Sequence, residues 1–221
     1  MYIRGMRNSG SGGDRGSVPT RERLVRSTQE LLWERGYVGT SPKAILERAG
    51  VGQGSMYHHF DGKAALALAA IERSAEELWA SADACLSGPG TAYDKVAAYL
   101  LRERQVLRGC PIGRMTQDRD VACSAELRRP LDALFDRLRA RIAEVIAEGV
   151  RAGELAAGTD PAALAATVAA TVQGGYVLAR AADDPAPFDA AVRGLLALLS
   201  AQVTTGPTAY PTGPAGHRSI R

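Results

Sequence analysis

From Thr40 to Lys63 the chain reads Thr-Ser-Pro-Lys-Ala-Ile-Leu-Glu-Arg-Ala-Gly-Val-Gly-Gln-Gly-Ser-Met-Tyr-His-His-Phe-Asp-Gly-Lys, and its polar residues are spaced for recognition by hydrogen bonds. Met56 and Phe60 are four apart and face inward on one short helix, which leaves Gln53, Ser55, Tyr57 and His58 pointing outward. Amide, hydroxyl, phenol and imidazole groups suit base edges and phosphate oxygens. Ser41 and Lys43 open the preceding helix. Lys63 opens the following one, where its charge adds to free backbone N–H groups that attract an anion. Metal chemistry fits poorly: His58 and His59 are adjacent and cannot share a helical face, and no Cys or carboxylate stands at ligand spacing beside them.

The elements that must position these groups are legible around them. Ser41-Pro42 supplies a cap and a proline at the first helical position, Ile45, Leu46 and Ala49 turn inward, and Gly50 ends the helix. Ala49-Gly50-Val51 is then a tight turn whose Val51 plugs the angle between two helices, the layout of a helix-turn-helix. Gly52 caps the second helix without a side-chain hydrogen bond, so that helix is expected to be ordered less firmly. Upstream, a helix is expected from Thr20 to Gly36, with Leu24, Val25, Thr28, Leu31 and Leu32 on one face. Downstream, helical patterns cover 62–86, 92–108, 125–152, 160–182 and 188–203, with a break at Gly109-Cys-Pro-Ile-Gly113 and no run of strand-like alternation. The expectation is an all-α chain of about nine helices.

Charge is unevenly distributed. Of the net +3, residues 1–63 carry +4 and residues 64–221 carry −1, which points to an N-terminal module for a polyanion joined to a neutral body. Residues 1–17 are Gly/Ser-rich and 204–221 are Gly/Pro-rich, so both read as flexible tails. The sequence shows no run of about 18 uncharged apolar residues and no signal-peptide core, so a cytoplasmic chain without a membrane partner is expected. The three cysteines, Cys85, Cys110 and Cys123, lack CxxC spacing, which disfavours disulfides and zinc and leaves Cys110 and Cys123 as candidates for thiol redox sensing. With no nucleophile–base pair, phosphate loop or spaced carboxylate pair, neither an enzyme nor a cofactor is expected.

The order of small-residue cap, helix, Ala-Gly-Val turn and recognition helix ending Tyr57-His58-His59-Phe60, then loop and Lys63, resembles the TetR family of bacterial repressors over residues 20–66. The resemblance implies a helix-turn-helix DNA-binding domain at 18–66 and an effector-binding and dimerisation domain at 67–203. It implies base or groove contacts from Gln53, Ser55 and His58, and phosphate contacts from Ser41, Lys43, Tyr57 and Lys63. The function implied is repression from a pseudo-palindromic operator on double-stranded DNA, relieved by an apolar or aromatic small molecule. Gly109-Cys-Pro-Ile-Gly113 looks like the motif of the drug- and flavonoid-responsive subgroup related to LmrA and YxaF.

For the effector, polar groups interrupting apolar faces near residues 109–113 give Arg104, Arg108, Cys110, Met115, Gln117, Phe135, Gln173 and Tyr176. Small and apolar residues on the last two helices, Ala165, Ala166, Ala169, Ala170, Gly174, Gly175, Val192, Leu195, Leu196 and Leu199, suit a two-fold homodimer interface, although a helix pair buried within one chain would read the same.

Overall fold

Local start and stop signals decide most of the helices in the structure, a computed structural model that describes residues 18–204. The arm at 1–17 and the tail after Thr204 lie outside the described residues. Helix α1 spans Thr20–Arg35, with Pro19 at the cap position, and Gly36 ends it at φ 75°. Helix α2 spans Pro42–Ala49; the Ala44 N–H donates to Ser41 Oγ at 3.1 Å, and Gly50 takes the left-handed conformation that ends the helix. Helix α3 spans Gln53–His59 and α4 spans Lys63–Leu86.

The expected helix at 92–108 is shorter. Helix α5 spans Ala92–Leu101 and stops where Arg102 becomes extended. There the Arg104 guanidinium turns back and donates to the carbonyls of Tyr99 at 2.5 Å, Leu100 at 2.7 Å and Arg102 at 2.9 Å. A cation on the last carbonyls of a helix satisfies orphan acceptors and opposes the negative end of the dipole.

Two five-residue helices, α6 at Pro111–Met115 and α7 at Arg119–Cys123, fill the stretch read as a break. Cys110 Sγ accepts the Gly113 N–H at 3.2 Å to open α6, and Asp118 Oδ1 accepts the N–H groups of Asp120 and Val121 to open α7. Helices α8, Ala125–Arg151, α9, Pro161–Ala182, and α10, Ala186–Ser200, complete the set. The described residues thus form ten helices, and their one β contact is an isolated bridge between Leu155 and Val203.

Helix α9 corrects the expectation that no stretch suits a membrane. By length and composition alone it is apolar enough to cross one. In the fold it packs between α8 and α10 and buries Ala165, Val168, Val172, Gly175 and Ala179, as a core helix does.

Burial divides into two clusters, and the division does not follow the chain. One joins α1 to α3, α4 as far as Ala75, α6, α7 and α8 as far as Leu134; the other joins the end of α4, α5, the rest of α8, α9 and α10. Helices α4 and α8 run through both, and Tyr176 packs against both.

Candidate nucleic-acid interface and adjoining cavity

Met56 and Phe60 turn into the core as spacing requires, with Met56 fully buried and Phe60 nearly so. Val51 packs partly buried against the same core and sets the angle between α2 and α3. What α3 leaves outside is Gln53, Tyr57, His58 and His59, all exposed, with Ser55 half-buried. Tyr57, at 56% exposure, is among the large side chains the fold leaves most open. His58 and His59 meet edge to face with centroids 4.9 Å apart, so His59 belongs to this polar face as well. His59 is the last residue of α3, and Phe60 follows it in an extended conformation.

Beside α3, Lys43 stands in solvent, its side chain 87% exposed and only 3.9 Å from Glu47. Ser41 Oγ accepts the Ala44 N–H, a bond that does not use its own O–H, which can donate to a phosphate oxygen. Lys63 differs from the expectation of a free phosphate ligand: its Nζ sits 3.9 Å from the centre of the Tyr37 ring. Partial burial pulls its pKa below the ordinary lysine range, against the opposing pull of Asp118 and Asp120. A cation resting on an aromatic face must leave that contact to reach a phosphate.

The interface is held from behind. Glu34 of α1 accepts both guanidinium nitrogens of Arg48 of α2 at 2.8 Å, a bidentate pair that holds its carboxyl below the usual range. Glu22 of α1 binds Arg73 of α4, and Gln29 donates to Ser74 Oγ and to Glu77, each at 3.0 Å. The orientation of the helix-turn-helix thus follows α1, and α1 follows α4.

Asp118 is a connection the sequence reading missed. While Oδ1 caps α7, Oδ2 accepts the Tyr37 N–H at 2.7 Å and the Val38 N–H at 3.0 Å. Its capping role is legible as Asp-Arg-Asp-Val, but the pairing with a loop some 80 residues earlier is not. One carboxylate therefore ties the loop ahead of α2 to the segment between α6 and α7.

Next to Asp118 lies a cavity of about 830 Å³ between the end of α1, α6, α8 and α9. Of the sequence-predicted effector residues it brings together Cys110, Gln117, Phe135, Gln173 and Tyr176. Tyr176 and Gly109 also border a second cavity of about 570 Å³, walled by α1, α4 and residues 102–105, and Arg104 lines that one. Burial pushes the Tyr176 hydroxyl up to about 12 in spite of the nearby Arg104 charge.

Two predicted residues are placed elsewhere. Met115 is buried in the core, because Ile112 and Met115, three apart, form the inner face of α6. Arg108 lies 3.7 Å from the centre of the Trp33 ring and pairs with Glu30, while Trp33 Nε1–H donates to Gly109 O at 3.1 Å. Arg108 thus braces α1 against the loop before α6.

The expected interface on the last two helices also divides. Ala165, Gly175, Val192, Leu195 and Leu199 face the chain's own core, whereas Ala166, Ala170, Val177, Leu178 and Leu198 are exposed. No group of three or more His, Cys, Asp or Glu residues positioned for a metal occurs among the described residues.

Residues 24–70 match the family of bacterial regulatory proteins of the tetR type, and residues 91–195 match the tetracyclin repressor-like C-terminal domain. An uncharacterized HTH-type transcriptional regulator of Mycobacterium tuberculosis is 32% identical over 197 residues, covering 83% of this chain and 95% of its own. The crystal structure of a TetR transcriptional regulator from Chloroflexus aurantiacus superposes with a TM-score of 0.76 at 30% identity, covering 83% of this chain and 96% of that one. The regulator CifR, determined as a cysteine mutant with a 26-base-pair operator, has a TM-score of 0.70 over 83–84% of this chain and 98–99% of its own. At 23–24% identity that likeness concerns the fold alone.

Proposed function

From the chain's membership of the TetR family of bacterial transcriptional regulators, we propose that it is a homodimeric repressor that binds a pseudo-palindromic operator through α3 and leaves it when a small molecule fills the cavity beside Asp118. The observation that carries this reading is the shared position of Asp118: it borders the cavity and holds the backbone of the loop that leads into α2. Gln53, Ser55 and His58 offer hydrogen bonds to base edges, while Ser41, Lys43 and Tyr57 hold phosphates. Lys63 joins the phosphate contacts by leaving the Tyr37 ring. Two recognition helices fit successive major grooves about 34–36 Å apart on one face of the duplex.

The ligand shifts the balance between DNA-fitting and non-fitting states only by its difference in affinity for them, so DNA and effector weaken each other reciprocally. The test is a gel-shift titration of the DNA upstream of the coding region at several salt concentrations. Binding is expected to weaken steeply with salt, as phosphate contacts require, and to be lost in Tyr57→Ala with the thermal melt unchanged. Salt-independent binding, or an active Tyr57→Ala variant, would refute the assignment of α3.

A second reading concerns how the signal enters. Cys110 lines the cavity, and its sulfur accepts the Gly113 N–H, so oxidation of that thiol would disturb the start of α6. Cys123 is exposed on α7 outside the cavity wall. Peroxide-dependent release from DNA that disappears in Cys110→Ser would favour this reading over a reversible ligand.

A further inference from the structure

The cavity beside Asp118 has far more hydrogen-bond donors than acceptors. Three arginines line it: Arg35 at the end of α1, Arg114 on α6 and Arg180 on α9. None of their guanidinium groups has a carboxylate or carbonyl partner among the described residues. The arginines that tie one element to another, in contrast, are paired: Arg48 with Glu34, Arg73 with Glu22, Arg108 with Glu30 and Arg141 with Asp83. Arg114 is half-buried and Arg35 and Arg180 are exposed, so three guanidinium groups without a counter-ion among the described residues border one cavity.

The acids nearby cannot serve them. Asp118 lines the same cavity, but its two oxygens accept four backbone N–H groups, from Tyr37, Val38, Asp120 and Val121. Glu34 feels the Arg35 charge, yet its carboxylate is held by Arg48.

Gln173 and Tyr176 also line this cavity. The Gln173 amide lies against Gly113 so closely that a Cβ there would collide with its oxygen. The Tyr176 hydroxyl remains a donor throughout the physiological range. Arg180 lies along the Gly109 backbone, where a Cβ would meet its Cδ at 3.3 Å. The wall also holds Thr116 and Gln117, and its apolar part is the Phe135 and Tyr176 rings, Val177 and Ala181.

We infer that the ligand of this cavity is an organic anion, with a carboxylate or similar acceptor-rich head held by Arg114 and Arg180 and an apolar body against Phe135 and Val177. Arg35 contributes at the rim, where it links the head group to the end of α1. The inference rests on the proposed repressor reading for its regulatory meaning, but not for the binding itself. A guanidinium pair recognises a carboxylate by paired, charge-assisted hydrogen bonds that a neutral amide cannot replace. The sequence reading, which sought polar interruptions of apolar faces, expected an apolar or aromatic effector. It missed all three arginines because they come from three separate helices.

The experiment is calorimetric titration of the full chain with 2-naphthoate, with 2-naphthamide and with inorganic phosphate. Naphthoate is expected to bind at least about tenfold more tightly than the amide or phosphate, the scale set by a hydrogen bond to a charged group. In the double variant Arg114→Gln, Arg180→Gln that preference is expected to vanish, with amide binding and the thermal melt unchanged. Equal affinity for acid and amide would overturn the inference, as would undetectable naphthoate binding, equal binding of phosphate, or an unaltered preference in the double variant. Naphthoate that binds through the arginines without releasing DNA would uphold the ligand class and count against the release mechanism instead.

Discussion

Asp118 shows how much one side chain can join. Its carboxylate supplies the cap of α7 and accepts the Tyr37 and Val38 N–H groups, so removing it strands donors in two elements at once. Asp118→Ala is expected to cost about 1–3 kcal/mol in denaturant unfolding, from a lost cap and unpaired amides. It should also shrink the ratio of DNA affinities measured with and without ligand, because the loop ahead of α2 is freed from the cavity wall. An unchanged ratio would show that the signal travels another way. Tyr176 gives a pH test at the same scale. Its folded-state pKa of about 12 lies above the ordinary value near 10, so between these limits the unfolded chain has lost a proton that the folded chain keeps. Stability is then fully present below about pH 10 and lost as pH rises through about 12, by at most about 3 kcal/mol. Unfolding measured at about pH 9 and about pH 11.5 should show a larger loss for the parent than for Tyr176→Phe, which has no such proton to lose.

Among the elements, α3 is short and open at its start. Gly52 is extended at φ −75°, a conformation that any residue adopts, and a Cβ there meets nothing within 4 Å. Gly52→Ser is therefore expected to add a cap and a few tenths of a kcal/mol of stability, roughly the difference between these cap residues. The change should be visible as slower amide exchange in Gly54 and Ser55. Faster exchange would mean that the glycine is required for another reason. This helix was legible in the sequence because its signals are local: Ser41-Pro42, Gly50 and the Met56–Phe60 spacing each act within one turn. The end of α5 was not, because it is set by Arg104 folding back onto carbonyls from Tyr99 to Arg102 rather than by a breaking residue. Helices α6 and α7 escaped notice because five residues are too few to show a period. The exposed face of α3 and much of the cavity wall could be read from single residues, whereas the Asp118 contacts and the cluster of arginines depend on which helices meet.

For the whole molecule, the decisive ambiguity lay in α9 and α10. Helix α9 is apolar nearly all round, so periodicity does not separate the face that packs inside the chain from any face that packs outside it. The fold makes the separation: Gly175 takes the Phe188 ring against its Cα, while Val177, Leu178 and Leu198 remain 56%, 55% and 70% exposed. Large apolar side chains left open on two adjacent helices suit burial against a second copy, where the same patch meets itself across a two-fold axis. The double variant Leu178→Glu, Leu198→Glu places like charges opposite each other in such an interface and touches little within the chain. It is expected to sediment as a monomer at about 10 µM and to melt within about 0.5 kcal/mol of its parent if the parent, too, is examined as a monomer. Its affinity for a full operator should fall by about a hundredfold or more, since one recognition helix no longer raises the local concentration of the other. Binding to an isolated half-site should be unaffected, because α3 and its supports on α1 and α4 lie elsewhere. A variant that still sediments as a dimer would place the two-fold contact on another face.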